Sequence, residues 1–314
     1  MDRIIIDCDP GHDDAIAILL AVRNGVASGK LDIRGITTVA GNSEVDNTTR
    51  NALKVLNFAG IHDIPVYKGC AKPMMRELYY MTGAIIHGED GLGGPSISAP
   101  TQAQEKEHAV EYLTKALRPN GSADKTVVVA TGPLTNIAAA LTLAPEIIEG
   151  IEKFVIMGGA VIEPGNITSA AEYNIYVDPE AAKAVFNSGV PIYLHSLDVT
   201  MKALIFEPDI IELMESDNPL QKLIGDLLMF FAGTHEQHFG IKACPIHDAL
   251  CIASLLEPDI VKYRHVHCDV SVNDELTRGE TVADLWGITG KEPNVHLASE
   301  VDSDAFISMI KGIK

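Results

Sequence analysis

Short β-branched runs alternate with longer segments of helical periodicity through the first two-thirds of the chain, and this alternation constrains the fold more than any other feature. Arg3 to Cys8 reads as a buried strand, Asp13 to Asn24 as a helix with Ala15, Ile18, Leu19 and Val22 on one face, and Asp32 to Ala40 as a second strand. The pattern repeats with a helix over Val45 to Ala59, a strand over Ile64 to Tyr67, a helix over Glu107 to Leu117 and a strand over Thr126 to Ala130. It continues with Leu134 to Leu143 helical, Lys153 to Met157 extended, Pro179 to Asn187 helical and Pro191 to Leu194 extended. A βα series of this kind predicts an α/β fold with an open, mostly parallel sheet, right-handed crossovers and helices on the faces. Beyond Pro208 the pattern changes to helices, including Leu220 to Phe231 and His247 to Leu256, then strand-like segments at His265 to Val272 and Thr281 to Trp286, and a closing helix near Asp302 to Lys311. With no linker, repeat or low-complexity tract, residues 1–314 read as a single domain. The stretch from Lys68 to Thr101 is poorly periodic and rich in Gly, Pro and Met, and a loop of that length is expected to cover a site.

Composition narrows the function. The chain carries 24 Lys+Arg against 43 Asp+Glu, a formal net charge of -19. Nucleic acids and anionic lipid surfaces need Lys/Arg clusters that release counterions, so neither is an expected partner. A hydrophobic content of 46% excludes disorder. The amino terminus lacks the apolar core of a signal peptide and no apolar run is long enough to cross a bilayer, so a cytoplasmic protein is expected. Cys8, Cys70, Cys244, Cys251 and Cys268 are scattered, without CxxC spacing, and fit reduced thiols.

The strongest motif is Asp7-Cys8-Asp9-Pro10-Gly11-His12-Asp13-Asp14, placed where the first strand ends and the first helix begins. Carboxylates this dense repel one another unless something positive lies between them. The helix N-terminus favours Asp13 and Asp14 by only about 0.3–1 kcal/mol per charge, and a divalent cation would do far more. Hard oxygen ligands without a His/Cys pair select Ca²⁺ or Mg²⁺ over zinc. The plainer reading, Asp13 as a helix cap among solvated loop acids, is disfavoured by Pro10-Gly11, which forces a tight turn at the carboxyl end of a strand, where open α/β sheets bind ligands.

Other strand ends supply Gly and small polar groups to the same rim: Ala40-Gly41-Asn42, Thr131-Gly132-Pro133-Leu134-Thr135-Asn136, and Met157-Gly158-Gly159 followed by Gly165-Asn166. Glu172 and Asn174 face the same way if their segment is extended. Pro245-Ile246-His247-Asp248-Ala249 opens a helix, with His247 and Asp248 free to point back toward the rim. His87, within the long loop, belongs either to a covering element or to a solvated turn. A dinucleotide fingerprint, a phosphate-cradling Gly-Lys-Ser/Thr loop and a Gly-x-Ser-x-Gly elbow are all absent from the sequence.

In order and over nearly the whole chain, these segments resemble the inosine–uridine-preferring nucleoside hydrolases. The resemblance implies a nucleoside hydrolase-like open α/β fold, one Ca²⁺ beneath a ribose pocket, and hydrolysis of an N-glycosidic bond to ribose and a free base. It implies Asp9, Asp14 and Asp248 as Ca²⁺ ligands through carboxylates and Thr131 through its carbonyl, with Asp9 also the general base toward water. Asp13, Asn42, Asn166, Glu172 and Asn174 would hold the ribose hydroxyls and Met157 would pack beneath the sugar. A homodimer or homotetramer is implied as well.

The chemistry is consistent with that assignment. Cleavage develops positive charge on the sugar, which carboxylates and amide oxygens stabilise, and the same acids would repel a 5′-phosphate. At the base, His247 matches the family's His beside the metal Asp, and His87 matches a His of pyrimidine-preferring members. His235 and Phe239 stand where such members usually offer Gln and Tyr, and Phe239 has no hydroxyl to donate. Pyrimidine nucleosides are the expected substrates, with inosine an alternative. Two competing readings remain: a calcium-stabilised nucleoside or sugar binding protein without turnover, and a haloacid-dehalogenase-like phosphatase. Asp7-x-Asp9 resembles the latter's nucleophile motif, although Pro10-Gly11 does not match what should follow it.

Overall fold

A computed structural model describes the chain except for residues 79–87, 89, 120–124 and 241–242 and the side chains of 238 and 239. Its strands are β1 (Asp2–Cys8), β2 (Leu31–Thr38), β3 (Val66–Lys68), β4 (Thr126–Ala130), β5 (Ile151–Met157), β6 (Ile192–His195), β7 (Leu204–Phe206), β8 (Ala243–Pro245), β9 (Val261–Val270), β10 (Thr281–Asp284) and β11 (Val295–Val301). Nine of them form one sheet in the order β10-β9-β11-β6-β5-β4-β1-β2-β3, and β7 pairs with β8 separately. Every pair from β3 across to β11 is parallel, while β9 runs antiparallel to both β10 and β11.

The central strands are apolar on both faces because helices cover both. Ile4 and Ile6 point into one cluster and Ile5 into the other; Val127 and Val129 are likewise separated from Val128, and Val155 from Phe154 and Ile156. This is the two-residue period of a strand buried on both sides. The helix His12–Leu20 is buried along all nine of its residues, then loosens into a π-helical turn, Ala21–Val26. Helices nearer the surface expose one face, as Val45–Phe58 does at Asp46 and Arg50.

Topology selects the site. After β1 the chain winds outward through β2 and β3, whereas after β4 it winds the opposite way through β5 and β6, and β1 and β4 are hydrogen-bonded neighbours. Diverging connections leave a crevice at the carboxyl ends of β1 and β4, the switch point at which open α/β sheets bind ligands. Asp9 to Asp14 follow β1 directly and Thr131 follows β4.

Three local differences from the sequence reading have physical causes. The segment holding Glu172 and Asn174 is not extended: Glu172 caps a short helix, Tyr173–Val177, its carboxylate accepting from the amides of Asn174 and Ile175. The sequence pattern does not predict β11, because Val-His-Leu-Ala-Ser-Glu-Val lacks a β-branched run and is held extended by pairing with β6 and β9. The helix predicted over Leu220 to Phe231 runs on to Phe239, from Pro219, ending at Gly240 in the left-handed conformation.

Candidate active site

The acidic motif is held by its own backbone and by the strands around it. Asp14 closes the first turn of its helix, one carboxylate oxygen accepting from the Gly11 amide at 3.1 Å and the other from the Thr131 hydroxyl at 2.7 Å. Asp9 lies opposite the β2 turn, where Oδ2 accepts from the Asn42 amide at 2.7 Å, while Oδ1 is buried without a hydrogen-bond partner among the described residues. Gly41 and Gly132 flank it so closely that a Cβ on either would run into the carboxylate, 2.6 Å from Oδ1 in the case of Gly132. Asp248 sits at the start of the helix Ala249–Leu256 yet makes no capping hydrogen bond. Its carboxylate instead approaches Asp13 and Asp14: single oxygens of these three buried acids all lie within 4.8 Å of one another.

These three acids, with Asp9 buried beside them, are costly as anions. Burial, then the neighbouring carboxylates, pushes Asp9 and Asp248 well above the usual carboxylate range. Burial raises Asp13 to about 7 and Asp14 to about 6. The converging oxygens of Asp13, Asp14 and Asp248, with the orphaned Oδ1 of Asp9 buried beside them, have the hard-oxygen chemistry that suits a divalent cation, and the residues present fit such an ion.

Above this cluster is a cavity of about 190 Å³. Of the residues expected from the sequence, Asp13, Asn42, Thr131, Met157, Asn166, Glu172, Asn174, His235, His247 and Asp248 all line it. Asp9 and Asp14 stand behind the wall. His87 lies outside the described residues, as does the side chain of Phe239. No described residue of 68–101 lines the cavity; the part near Gly93 packs behind it, where His12, stacked on Phe230 and Phe231, donates from Nε2 to the Gly93 carbonyl at 2.9 Å.

The polar wall is organised by internal bonds. Glu172 accepts from the Gly159, Asn174 and Ile175 amides, which fix the carboxylate, although burial still raises its pKa. Asn174 donates to the Thr131 carbonyl at 2.8 Å and Asn166 accepts from the Tyr173 amide at 2.9 Å. At the other end, Phe231 and His235 project one turn apart from the helix Pro219–Phe239. His247 Nδ1 is 2.7 Å from the Thr200 hydroxyl, and burial, then His235, lowers the imidazole pKa to about 3. The cavity therefore combines acids and amides with the rings of Phe231, His235 and His247.

Sequence reasoning missed Glu163, Tyr173, Leu197, Met201 and Phe231, which also line the cavity. Tyr173 and Phe231 had a signal, since one lies inside the Glu172–Asn174 motif and the other one helical turn before His235. Glu163 lies in the loop after β5 and Leu197 and Met201 on and just after a short helix following β6, none of them within a motif that marks it. Asp7, the residue a phosphatase of the haloacid-dehalogenase type would use as nucleophile, is fully buried outside the cavity lining.

The sequence model for the inosine–uridine preferring nucleoside hydrolases matches residues 4–308. The chain belongs to this family. Pyrimidine-specific ribonucleoside hydrolase RihA of Salmonella gallinarum is 44% identical over 98% of this chain and 96% of its own, and RihA of Citrobacter koseri is 42% identical over the same shares. Among solved structures, a purine-preferring ribonucleoside hydrolase from Gardnerella vaginalis superposes with a TM-score of 0.90 at 32% identity, covering 99% of both chains. An inosine-guanosine nucleoside hydrolase superposes at 0.88 with 27% identity, over 100% of this chain and 98% of its own. The protein is accordingly a ribonucleoside hydrolase, an N-glycosyl hydrolase built on the family's mostly parallel sheet, and its acid cluster and cavity occupy the switch point of that sheet.

Proposed function

We propose that this nucleoside hydrolase acts on pyrimidine ribonucleosides with Ca²⁺ as its resident ion. The observation that carries the reading is the juxtaposition of a buried acid cluster with a cavity lined by acids, amides and the rings of Phe231, His235 and His247. Base preference follows the relatives: those 42–44% identical are named pyrimidine-specific, whereas the purine-preferring structure is more distant at 32%.

Asp9, Asp14, Asp248 and the Thr131 carbonyl would hold the ion. When bound, it supplies positive charge that lets these acids ionise together and favours a deprotonated nucleophile. Asp9 is the general base: its Oδ1 has no hydrogen-bond partner among the described residues, and Asn42 steadies the other oxygen at 2.7 Å. Asp13, Asn42, Asn166, Glu172 and Asn174 bind the ribose hydroxyls, and Met157 packs beneath the ring. As the glycosidic bond breaks, positive charge grows on the sugar and the Asp and Glu oxygens around it stabilise that charge. Neutral His247 faces the departing base, next to His235; His87 and Phe239 are proposed base contacts from sequence.

The enzyme is further proposed to be cytoplasmic, a reading supported by five free cysteines, and a single domain across 1–314. No helix among the described residues is long and apolar enough to cross a membrane. A homodimer or homotetramer is proposed too. Trp286 and Ile288, each more than four-fifths exposed beyond the edge strand β10 on a turn braced by Asp284, offer an apolar contact.

Release of reducing sugar from a panel of nucleosides, with and without a chelator, tests the function. Uridine and cytidine are expected to be cleaved, and Asp9→Asn to abolish turnover while nucleoside still binds. Binding without turnover by the native protein would leave a binding protein; faster cleavage of inosine than uridine would overturn the base preference.

A further inference from the structure

Behind His247, outside the cavity lining, lies Thr200, the last residue of a short helix, Leu197–Thr200, that follows β6. Thr200 is fully buried, and among the described residues its hydroxyl makes one hydrogen bond, to His247 Nδ1 at 2.7 Å. An imidazole that is neutral carries its proton on one nitrogen only, and the bond made by the inner nitrogen decides which. Were Nδ1 the donor, the Thr200 proton would be left in the interior without an acceptor among the described residues, which buried hydroxyls avoid. The arrangement that leaves nothing stranded has Thr200 O–H donating to Nδ1. The imidazole proton then sits on Nε2, for which the described residues supply no other partner.

We propose that Thr200 is a positioning residue of the nucleoside hydrolase reaction: it fixes His247 as the Nε2–H tautomer, so that a neutral imidazole presents a donor to the base as it departs. The proposal rests on the reading of His247 as the base-facing group. When the bond between C1′ and the base nitrogen breaks, its electron pair leaves with the base and spreads onto the carbonyl oxygen beside that nitrogen. Nε2–H hydrogen-bonds to this developing negative charge. No proton leaves His247; the base anion takes its proton from solvent after release. A neutral imidazole used as an electrophilic donor in this way has precedent in other enzymes, and a preoriented donor acts on the transition state more than on the bound substrate. The base recognised is one with a carbonyl next to its glycosidic nitrogen, as uracil and cytosine have.

The test compares Thr200→Val, nearly the same shape without the hydroxyl, with Thr200→Ser, which restores it. Each is assayed on uridine and on p-nitrophenyl β-D-ribofuranoside, whose leaving group departs readily as an anion. Thr200→Val is expected to lower kcat on uridine between about 10- and 100-fold with little change in KM, while the nitrophenyl riboside loses no more than about threefold, and Thr200→Ser is expected to recover most of the loss. Equal losses on both substrates, or none on uridine, would overturn the proposal. Long-range ¹H–¹⁵N spectra of the native protein give an answer that requires neither turnover nor a folded variant: His247 is expected with its proton on Nε2, and a proton on Nδ1 refutes the assignment. If the native enzyme cleaves the nitrophenyl riboside but no nucleoside, the substrate reading fails, while the tautomer result still decides the role of Thr200.

Discussion

Gly132→Ala puts the proposed role of Asp9 under direct strain. The backbone at Gly132 is outside the left-handed region, so alanine is conformationally acceptable there and the effect must come from contact. The new methyl would stand 2.6 Å from Asp9 Oδ1 and 3.0 Å from Val39 Cγ1, whereas ordinary contact begins near 3.4 Å. Relief by the carboxylate alone takes 3.4 − 2.6 = 0.8 Å of movement. Asp9 cannot give in the other direction freely, because Gly41 closes the far side and Oδ2 is bound to the Asn42 amide at 2.7 Å, a bond that a shift of that size would stretch past useful length. A misplacement near 1 Å in a catalytic group costs about 100-fold in rate, and overpacking costs about 1–3 kcal/mol in stability. Gly132→Ala is therefore expected to lose about two orders of magnitude in kcat on uridine, with a melting temperature lower by only a few degrees. Both are read on one preparation, reducing-sugar release beside a thermal melt. If kcat stays within about threefold of native while the protein melts normally, Asp9 is either free to move or not the base.

Three further outcomes follow from the same geometry. Asp14→Ala should lose Ca²⁺ and turnover together, and chelation of the native protein should lower both turnover and melting temperature; retention of the ion by the variant, read by metal analysis after dialysis, would remove Asp14 from the ligand set. Asp198→Ala should raise KM several-fold more than it lowers kcat, because one buried carboxylate accepts from the Val161, Ile162 and Glu163 amides and so shapes the loop that carries Asn166; such bonds to a charge are each worth about 1.5–3 kcal/mol, and an unchanged KM would show that the loop holds itself. Asp7, fully buried, has its pKa raised by burial to about 7. The folded state thus holds a proton that the unfolded chain releases near 4, so Asp7 makes stability fall as pH rises from about 4 to 7, and Asp7→Asn should flatten that fall relative to native; identical slopes in urea titrations at several pH values would contradict this.

Much of the site was legible because its chemistry is local. Asp7 to Asp14 span one strand-to-helix junction, and a run of acids at the end of an apolar strand has few physical explanations. Glu172, Asn174, His247 and Asp248 were legible as members of an ordered set and ambiguous alone; the structure removes the capping reading of Asp248, whose carboxylate makes no cap bond. What stayed hidden depends on pairing and close approach. The strand β11 exists because β6 and β9 offer edges on both sides, which no window of seven residues encodes. Gly132 reads as a turn residue in sequence, whereas its structural reason is the Asp9 carboxylate beside it. Thr200 is an ordinary helix-end residue until His247, 47 positions away, is seen against it.

The acid cluster also bears on why a chain of net charge -19 folds around its own carboxylates. Most of the surplus lies on the surface, where solvent screens it. The buried acids come from segments far apart in sequence: Asp9, Asp13 and Asp14 after β1, and Asp248 after β8, with Thr131 after β4 bonded to Asp14. Bringing them together costs stability that the apolar faces of the central strands and of the helix His12–Leu20 must offset. A divalent cation among them reverses the sign, since each repulsion becomes part of an attraction, and the same ion would clamp the ends of β1 and β4 to the start of the helix Ala249–Leu256. The crevice that topology opens between β1 and β4 would then be closed by the proposed ion, so loss of the ion should loosen these strand ends before it unfolds the sheet. Hydrogen exchange with and without chelator reads this directly: faster exchange confined to the amides near Gly11, Thr131 and Ala249 supports the clamp, and uniform exchange over the sheet refutes it.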